Sequence, residues 1–251
     1  MNFRWDLEWK TTAFTVLLLP ALIWLGFWQL EQADEKAKLA ERFLQQSLIE
    51  PVSLSSLRGL SGDDLRFRRV QLAGRFDDVV MLYLDNQVRN GRYGHDIYNL
   101  FYDRASGLAA LVNRGWIAGD PARQNLPKTT IPQGELALSA TVYVPPGDPY
   151  LLREDDLSSL VWPALVQSAN TEALRNKLAE LTGTAVFGAE LRVEEASPYG
   201  FRADWPVVNV SPHKHQGYAV QWFTMAFALA LLFVFRSSNL LQVVRGGNQK
   251  S

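Results

Sequence analysis

Histidine is scarce in this chain and unevenly placed. Of the three histidines, His213 and His215 stand two residues apart in "SPHKHQGYAVQWFTM" (Ser211–Met225), directly ahead of an apolar run. An imidazole can ligate a transition metal through one ring nitrogen or move a proton near neutral pH. Residues two apart share a face on a strand and diverge on a helix. With His95 the pair could offer three imidazoles to copper or zinc. No carboxylate or thiolate stands beside them at motif spacing, so a polar loop entering an apolar helix is the simpler account.

A second grouping carries more chemistry. If the helix of the following apolar run extends back to His215, then His215, Tyr218 and Trp222 fall at i, i+3 and i+7, one helical face, with Gln221 beside Trp222. An earlier apolar run ends in "GFWQL" (26–30), where Trp28 precedes Gln29. Two runs that cross a membrane in opposite directions put both Trp/Gln pairs, and His215, at the same surface. A histidine flanked by aromatics there suits a flat apolar ligand carrying one metal, and haem iron accepts such an axial imidazole. The belt of tryptophan and tyrosine at membrane interfaces explains Trp28, Tyr218 and Trp222 equally well. It does not explain the histidine and glutamines, whose polarity at this depth calls for a partner.

Two elements must position these groups. Thr11–Leu30 and Gly217–Phe235 carry no charge, and each is long enough to cross about 30 Å of hydrocarbon. The first exceeds the usual ~7–15-residue core of a cleaved signal peptide and runs straight into "EQADEKAK" without a small-residue cleavage site, so an uncleaved anchor is expected. Pro20 lies mid-span, where membrane helices tolerate it. The second ends at Arg236, which with its length argues against a buried core helix. The C-terminal tail has Arg245 and Lys250 and no acid, which leans the termini towards the cytoplasm or matrix. The expected organisation is transmembrane helix 11–30, an extracytoplasmic domain 31–216 and transmembrane helix 217–235.

Between the spans, Glu31–Ile49 has helical spacing and can extend the first span outward until Pro51. Strand-like segments follow at 68–76, 79–84, 94–102, 108–117, 135–144, 184–193 and 206–210, with "DRASG" as a hairpin turn between the third and fourth. One soluble helix stands out in "NTEALRNKLAELTG". Asn170 or Thr171 caps it, Leu174, Leu178 and Leu181 form its apolar stripe, and Gly183 ends it. The fold class read from this is a membrane protein, α+β. Terminal transmembrane helices flank an antiparallel, barrel-like β-rich domain with one packed helix.

Composition narrows the function. A formal net charge of −1 gives no ground for nucleic-acid binding. The absence of cysteine excludes disulfides, thiolate metal sites and a cysteine nucleophile. No G-x-S-x-G, H-E-x-x-H or phosphate-loop motif is present, so catalysis by side chains is not expected.

Several blocks, in order, resemble the Surfeit locus protein 1 family, membrane assembly factors of cytochrome c oxidase. "GFWQL" (26–30) is similar to the family's Gly-x-Trp-Gln element, and "RRVQLAGRFD" (68–77) to its first strand block. "LVNRGWI" (111–117) is similar to its Val-Asn-Arg-Gly-aromatic block, and "HQGYAVQWF" (215–223) to its His-x-x-Tyr-x-x-x-Trp-aromatic element. The resemblance covers nearly the whole chain. It implies a two-span, multi-pass protein of the inner (plasma) membrane with its large domain in the periplasm, or of the mitochondrial inner membrane in a eukaryote. It implies a role in maturing the oxidase's catalytic subunit, with transient haem a binding through His215 as the iron ligand; Tyr218, Trp222, Trp28 and Gln29 complete the expected site from the helical face and the Trp/Gln pairs described above. The lipid bilayer and the oxidase catalytic subunit are the implied partners, with haem a synthase as a further candidate. Arg68, Arg69 and Arg114 have the chemistry to pair with haem propionates, although arginines on strands more often serve structure. A scaffold that binds the nascent oxidase subunit without haem is the competing reading. Copper delivery through the histidines is a third, disfavoured because copper(I) carriers use softer ligands.

Overall fold

The computed structural model describes residues 4–145, 155–207 and 210–239. The chain forms two compact units, residues 1–41 with 206–251, and residues 42–205.

The first unit contains most of α1 (Trp9–Ser47) and all of the C-terminal helix. Helix α1 has 39 residues, about 58 Å at 1.5 Å per residue, so the charged stretch after Leu30 continues the same helix. It runs through Pro20 and stops four residues short of Pro51. Both terminal helices are long and apolar enough to cross a membrane.

The second unit is a seven-stranded sheet with one helix. Its strands are β1 (Val52–Ser53), β2 (Arg69–Arg89), β3 (Arg92–Asp103), β4 (Leu108–Ala118), β5 (Leu136–Tyr143), β6 (Ala164–Val166) and β7 (Glu190–Val193). Helix α2 (Glu172–Thr182) lies between β6 and β7 in the chain, and α3 (Pro212–Arg236) is the C-terminal helix.

The segments expected at 68–76 and 79–84 are one bent strand, β2. Its register with β3 shifts between Phe76 and Met81. There the Asp77 carboxylate accepts the amides of Val79 (2.9 Å) and Val80 (2.8 Å), groups that a regular ladder would otherwise have to pair. The β2–β3 turn is Asn90-Gly91, with φ of 52° and 72°, the positive values a tight two-residue hairpin requires. The "DRASG" hairpin forms as expected. Asp103 accepts the Ser106 amide at 2.9 Å, and Gly107 supplies φ 67°.

The expectation of an antiparallel, barrel-like sheet is corrected in two ways. The sheet is mixed: β1 and β6 run parallel to β2, and β7 runs parallel to β4. The pairings do travel from β2 through β3, β4, β7 and β5 back to β2. However, β7 has four residues and meets β4 at only two pairs, so no clear barrel forms. The strand expected at 184–193 is confined to β7. Val186 contributes an isolated bridge to Ala109, and the chain bends at Gly188 and Ala189 before β7 begins. In the segment expected at 206–210, Pro206, Val207 and Val210 are not in a strand, and residues 208–209 lie outside the described residues.

Two large apolar clusters, and a small third of Met81, Tyr83 and Ile97, hold this unit together. One gathers Val70, Leu72 and Phe76 of β2 with Phe101, Val112, Leu138 and Leu191. The other packs Leu174 and Leu178 of α2 on Leu82, Tyr98, Leu100, Leu111 and Val166. Thr171 caps α2 by accepting the Leu174 amide at 3.2 Å, and Gly183 closes it at φ 67°. Leu181, expected on the buried stripe, is 53 % exposed. It shares the face of Leu174, seven residues earlier, but stands in the last turn of α2, one residue before the helix ends at Thr182.

Candidate functional site

Helices α1 and α3 pack antiparallel, as the order of their contacts shows. Glu8 pairs with Arg236 at 3.1 Å, Gly26 lies against Phe223, and Gln29 meets His215. The helical stripe Leu22, Gly26, Gln29 and Ala33 on α1 is set by the i, i+4, i+7, i+11 spacing, and all but the half-buried Gln29 are buried. On α3 the matching stripe runs through His215, Ala219, Trp222, Phe223 and Ala226, of which Ala219 and Ala226 are buried. Gly26 permits the close approach, because a Cβ there would stand 2.5 Å from a ring carbon of Phe223. The Phe223 ring also meets Phe27 edge-on, with centroids 5.3 Å apart.

His215 is brought against Gln29 by this packing. Its Nδ1 lies 2.8 Å from Gln29 Oε1. An amide oxygen only accepts, so Nδ1 is the donor in this contact, and in the neutral ring that leaves the lone pair on Nε2. Nε2 is buried and has no hydrogen-bond partner among the described residues. A neutral imidazole held through Nδ1–H with Nε2 free is the form that ligates a metal, and haem iron is one such acceptor. The donor set therefore fits an axial ligand. Of the other expected site residues, Trp222 is half-buried on the packing stripe, whereas Tyr218 and Trp28 are 49 % and 42 % exposed. His213 is exposed and holds Gln216 locally, at 3.3 Å. No group of three or more metal-ligating side chains gathers among the described residues, which leaves the three-histidine site without a basis there.

In the β-rich unit the structure buries polar groups that lie on strands. Arg114 of β4 is only 4 % exposed. Its Nε donates to Tyr199 O (2.7 Å), and its Nη1 to Asn99 Oδ1 (3.0 Å) and Thr130 O (2.9 Å), while the guanidinium stacks 4.7 Å from the Phe201 ring centroid. Burial pulls its pKa down to about 10. Arg69 donates twice to Glu194, at 3.0 and 2.8 Å, and Arg68 donates to Asp64 O. All three arginines considered for propionates are thus engaged within their own unit.

Next to Arg114, Asn113 donates to Asp96 (3.1 Å), which also accepts from Arg89 (3.0 Å). Also buried, the Glu190 carboxylate accepts from Tyr98 (2.8 Å) and Arg192 (3.0 Å), and burial drives the Tyr98 phenol well above its ordinary pKa. His95 is 2 % exposed, between the rings of Tyr83 and Tyr93, with Nδ1 3.7 Å from Asp85. Desolvation holds it below the usual histidine range against the opposing pull of Asp85. These groups went unread in the sequence apart from His95 and Arg114. The available signal was polar residues inside apolar strand runs, Asp96 and Asn99 in "HDIYNLFY" and Asn113 in "LVNRGWI".

Comparison with known proteins gives a consistent set of matches. The model of the SURF1 family matches residues 16–227. A SURF1-like protein of Rickettsia felis is 24 % identical over 93 % of this chain and 100 % of its own length. A SURF1-like protein of Caenorhabditis briggsae is 24 % identical over 92 % of this chain and 76 % of its own. Surfeit locus protein 1 of Takifugu rubripes is 22 % identical over 87 % of this chain and 93 % of its own.

Proposed function

The chain belongs to the SURF1 family, and from that premise we propose that it is a membrane-anchored assembly factor for haem-copper cytochrome c oxidase. On this reading α1 and α3 cross the inner membrane. Both termini lie on the side of the basic tail, and the β-rich unit stands in the periplasm, or in the intermembrane space of a mitochondrion. The cargo is haem a, taken through His215 and passed to the oxidase catalytic subunit, with haem a synthase as a candidate donor. The observation that carries the proposal is the His215 imidazole, whose Nδ1 is engaged by Gln29 while the buried Nε2 has no partner among the described residues. When bound, haem supplies an iron that accepts one nitrogen lone pair, and His215 Nε2 is the atom that offers it. Trp222, and the more exposed Trp28 and Tyr218, offer aromatic faces to a flat apolar cargo.

The test is the visible spectrum of the full chain purified in mild detergent from cells that make haem a, beside His215→Ala. Haem a absorption in the wild type, lost in the variant together with the haem content of the oxidase, supports the role. Normal oxidase haem content in His215→Ala overturns it.

A second reading has an observation of its own. An interhelical hydrogen bond beside a close glycine contact is how membrane helices hold together. The chain would then be a scaffold that binds the nascent catalytic subunit without haem. Haem-free protein that retains the oxidase subunit on purification, with and without His215, favours that reading.

A further inference from the structure

Resting on the haem reading, we infer that Gln29 is a positioning residue. It contacts no cargo itself and acts by fixing the tautomer and ring orientation of His215, which couples the iron ligand to the pairing of α1 and α3. The geometry is direct. Gln29 Oε1 stands 2.8 Å from His215 Nδ1, across 186 residues of sequence. Gln29 lies on the same α1 stripe as Leu22, Gly26 and Ala33. Gly26, one turn away, is pressed against Phe223 on the same side of α3 that carries His215, so the axial register of the two helices, and with it the Gln29–His215 distance, is set by packing.

The reverse arrangement, Nδ1 bare and the proton on Nε2, would bury an N–H donor with no acceptor among the described residues, a rarer state than an unfilled acceptor. Gln29 therefore does for His215 what the outer partner of a ligating histidine does generally. It accepts from the far nitrogen and orients the ring.

The inference separates from the haem reading because the tautomer can be measured without haem. Nitrogen-15 shifts of labelled histidine in the cargo-free full chain in detergent distinguish Nδ1–H from Nε2–H. The expected result is Nδ1–H at His215 in the wild type and a shift of population towards Nε2–H in Gln29→Leu. An Nε2–H wild type overturns the inference whatever haem does. Haemin is then titrated into the wild type, Gln29→Leu, Gln29→Glu and His215→Ala, each first shown to elute and melt like the wild type. Gln29→Leu should weaken haemin binding about 10–100-fold. Gln29→Glu should restore it and lower the iron midpoint potential, because an anionic acceptor pushes more electron density through the ring. Equal affinity and potential in all three Gln29 forms overturns the inference. Failure of the wild type to bind haemin, or equal binding by His215→Ala, sinks the haem reading instead, and the tautomer measurement still decides what Gln29 does.

Discussion

Replacing Arg114 by leucine should destabilise the β-rich unit without touching any residue of the His215 site. The side chain is 4 % exposed and donates to Tyr199 O, Asn99 Oδ1 and Thr130 O. Leucine leaves the buried Asn99 Oδ1 and the half-buried Tyr199 O without this donor, at about 1–3 kcal/mol each, and forfeits the stacking on Phe201, worth about 2 kcal/mol when desolvated. Against this, the arginine's own burial is unfavourable. Holding its pKa at about 10 reflects roughly 3 kcal/mol of penalty that leucine relieves. The net loss is about 3 kcal/mol, which for a unit of this size corresponds to a fall in Tm of about 6–12 °C.

Lysine tests the geometry rather than the charge. It keeps a buried cation but lacks the planar fork that reaches three acceptors, so Arg114→Lys should be no more stable than Arg114→Leu. Tryptophan fluorescence melting of the full chain in detergent measures both. A loss below about 1 kcal/mol for leucine, or full rescue by lysine, would refute the claim that these bonds and the stacking outweigh the burial of the charge.

Two further outcomes are expected. Gly26→Leu should weaken α1–α3 pairing by about 1–3 kcal/mol through overpacking on Phe223, and Phe223→Ala in the same chain should recover part of the loss by opening space. Additive losses in the double variant would show that the two positions do not meet. The second outcome concerns pH. His95 has a folded-state pKa below its unfolded value, so the unfolded chain binds more protons once pH falls below the usual histidine value near 6.5. Its contribution is thus intact above that value and declines as pH drops through it towards the folded pKa. The wild type should lose stability relative to His95→Gln between about pH 7 and pH 5, and parallel pH profiles for the two proteins would refute the assignment.

Much of the architecture was legible because its signals are local. Two uncharged runs, the cap at Thr171 and stop at Gly183, and the turn chemistry of "DRASG" each act within a few residues, and each formed as read. Asn90-Gly91 was equally local but went unread, which hid the β2–β3 hairpin. The division of β2 into two strands failed because Asp77 satisfies the amides that a bulge leaves over, and no pattern of apolar alternation reports that.

By itself the sequence determined which segments are apolar and which residue types stand at the end of each apolar run. It placed a histidine on a helical face and a glutamine at the end of an apolar run 186 residues away. Only the tertiary structure decided that those two side chains meet, which nitrogen of His215 is left free, and that Tyr218 and Trp28 turn outward. The same division holds for Arg114. Its type was visible, but its three partners come from β3 and from two stretches outside the strands. The physical reason is one of range. Propensity, capping and turn chemistry act over a few residues. A hydrogen bond between distant segments depends on helix register and strand pairing, which are settled by packing throughout the fold.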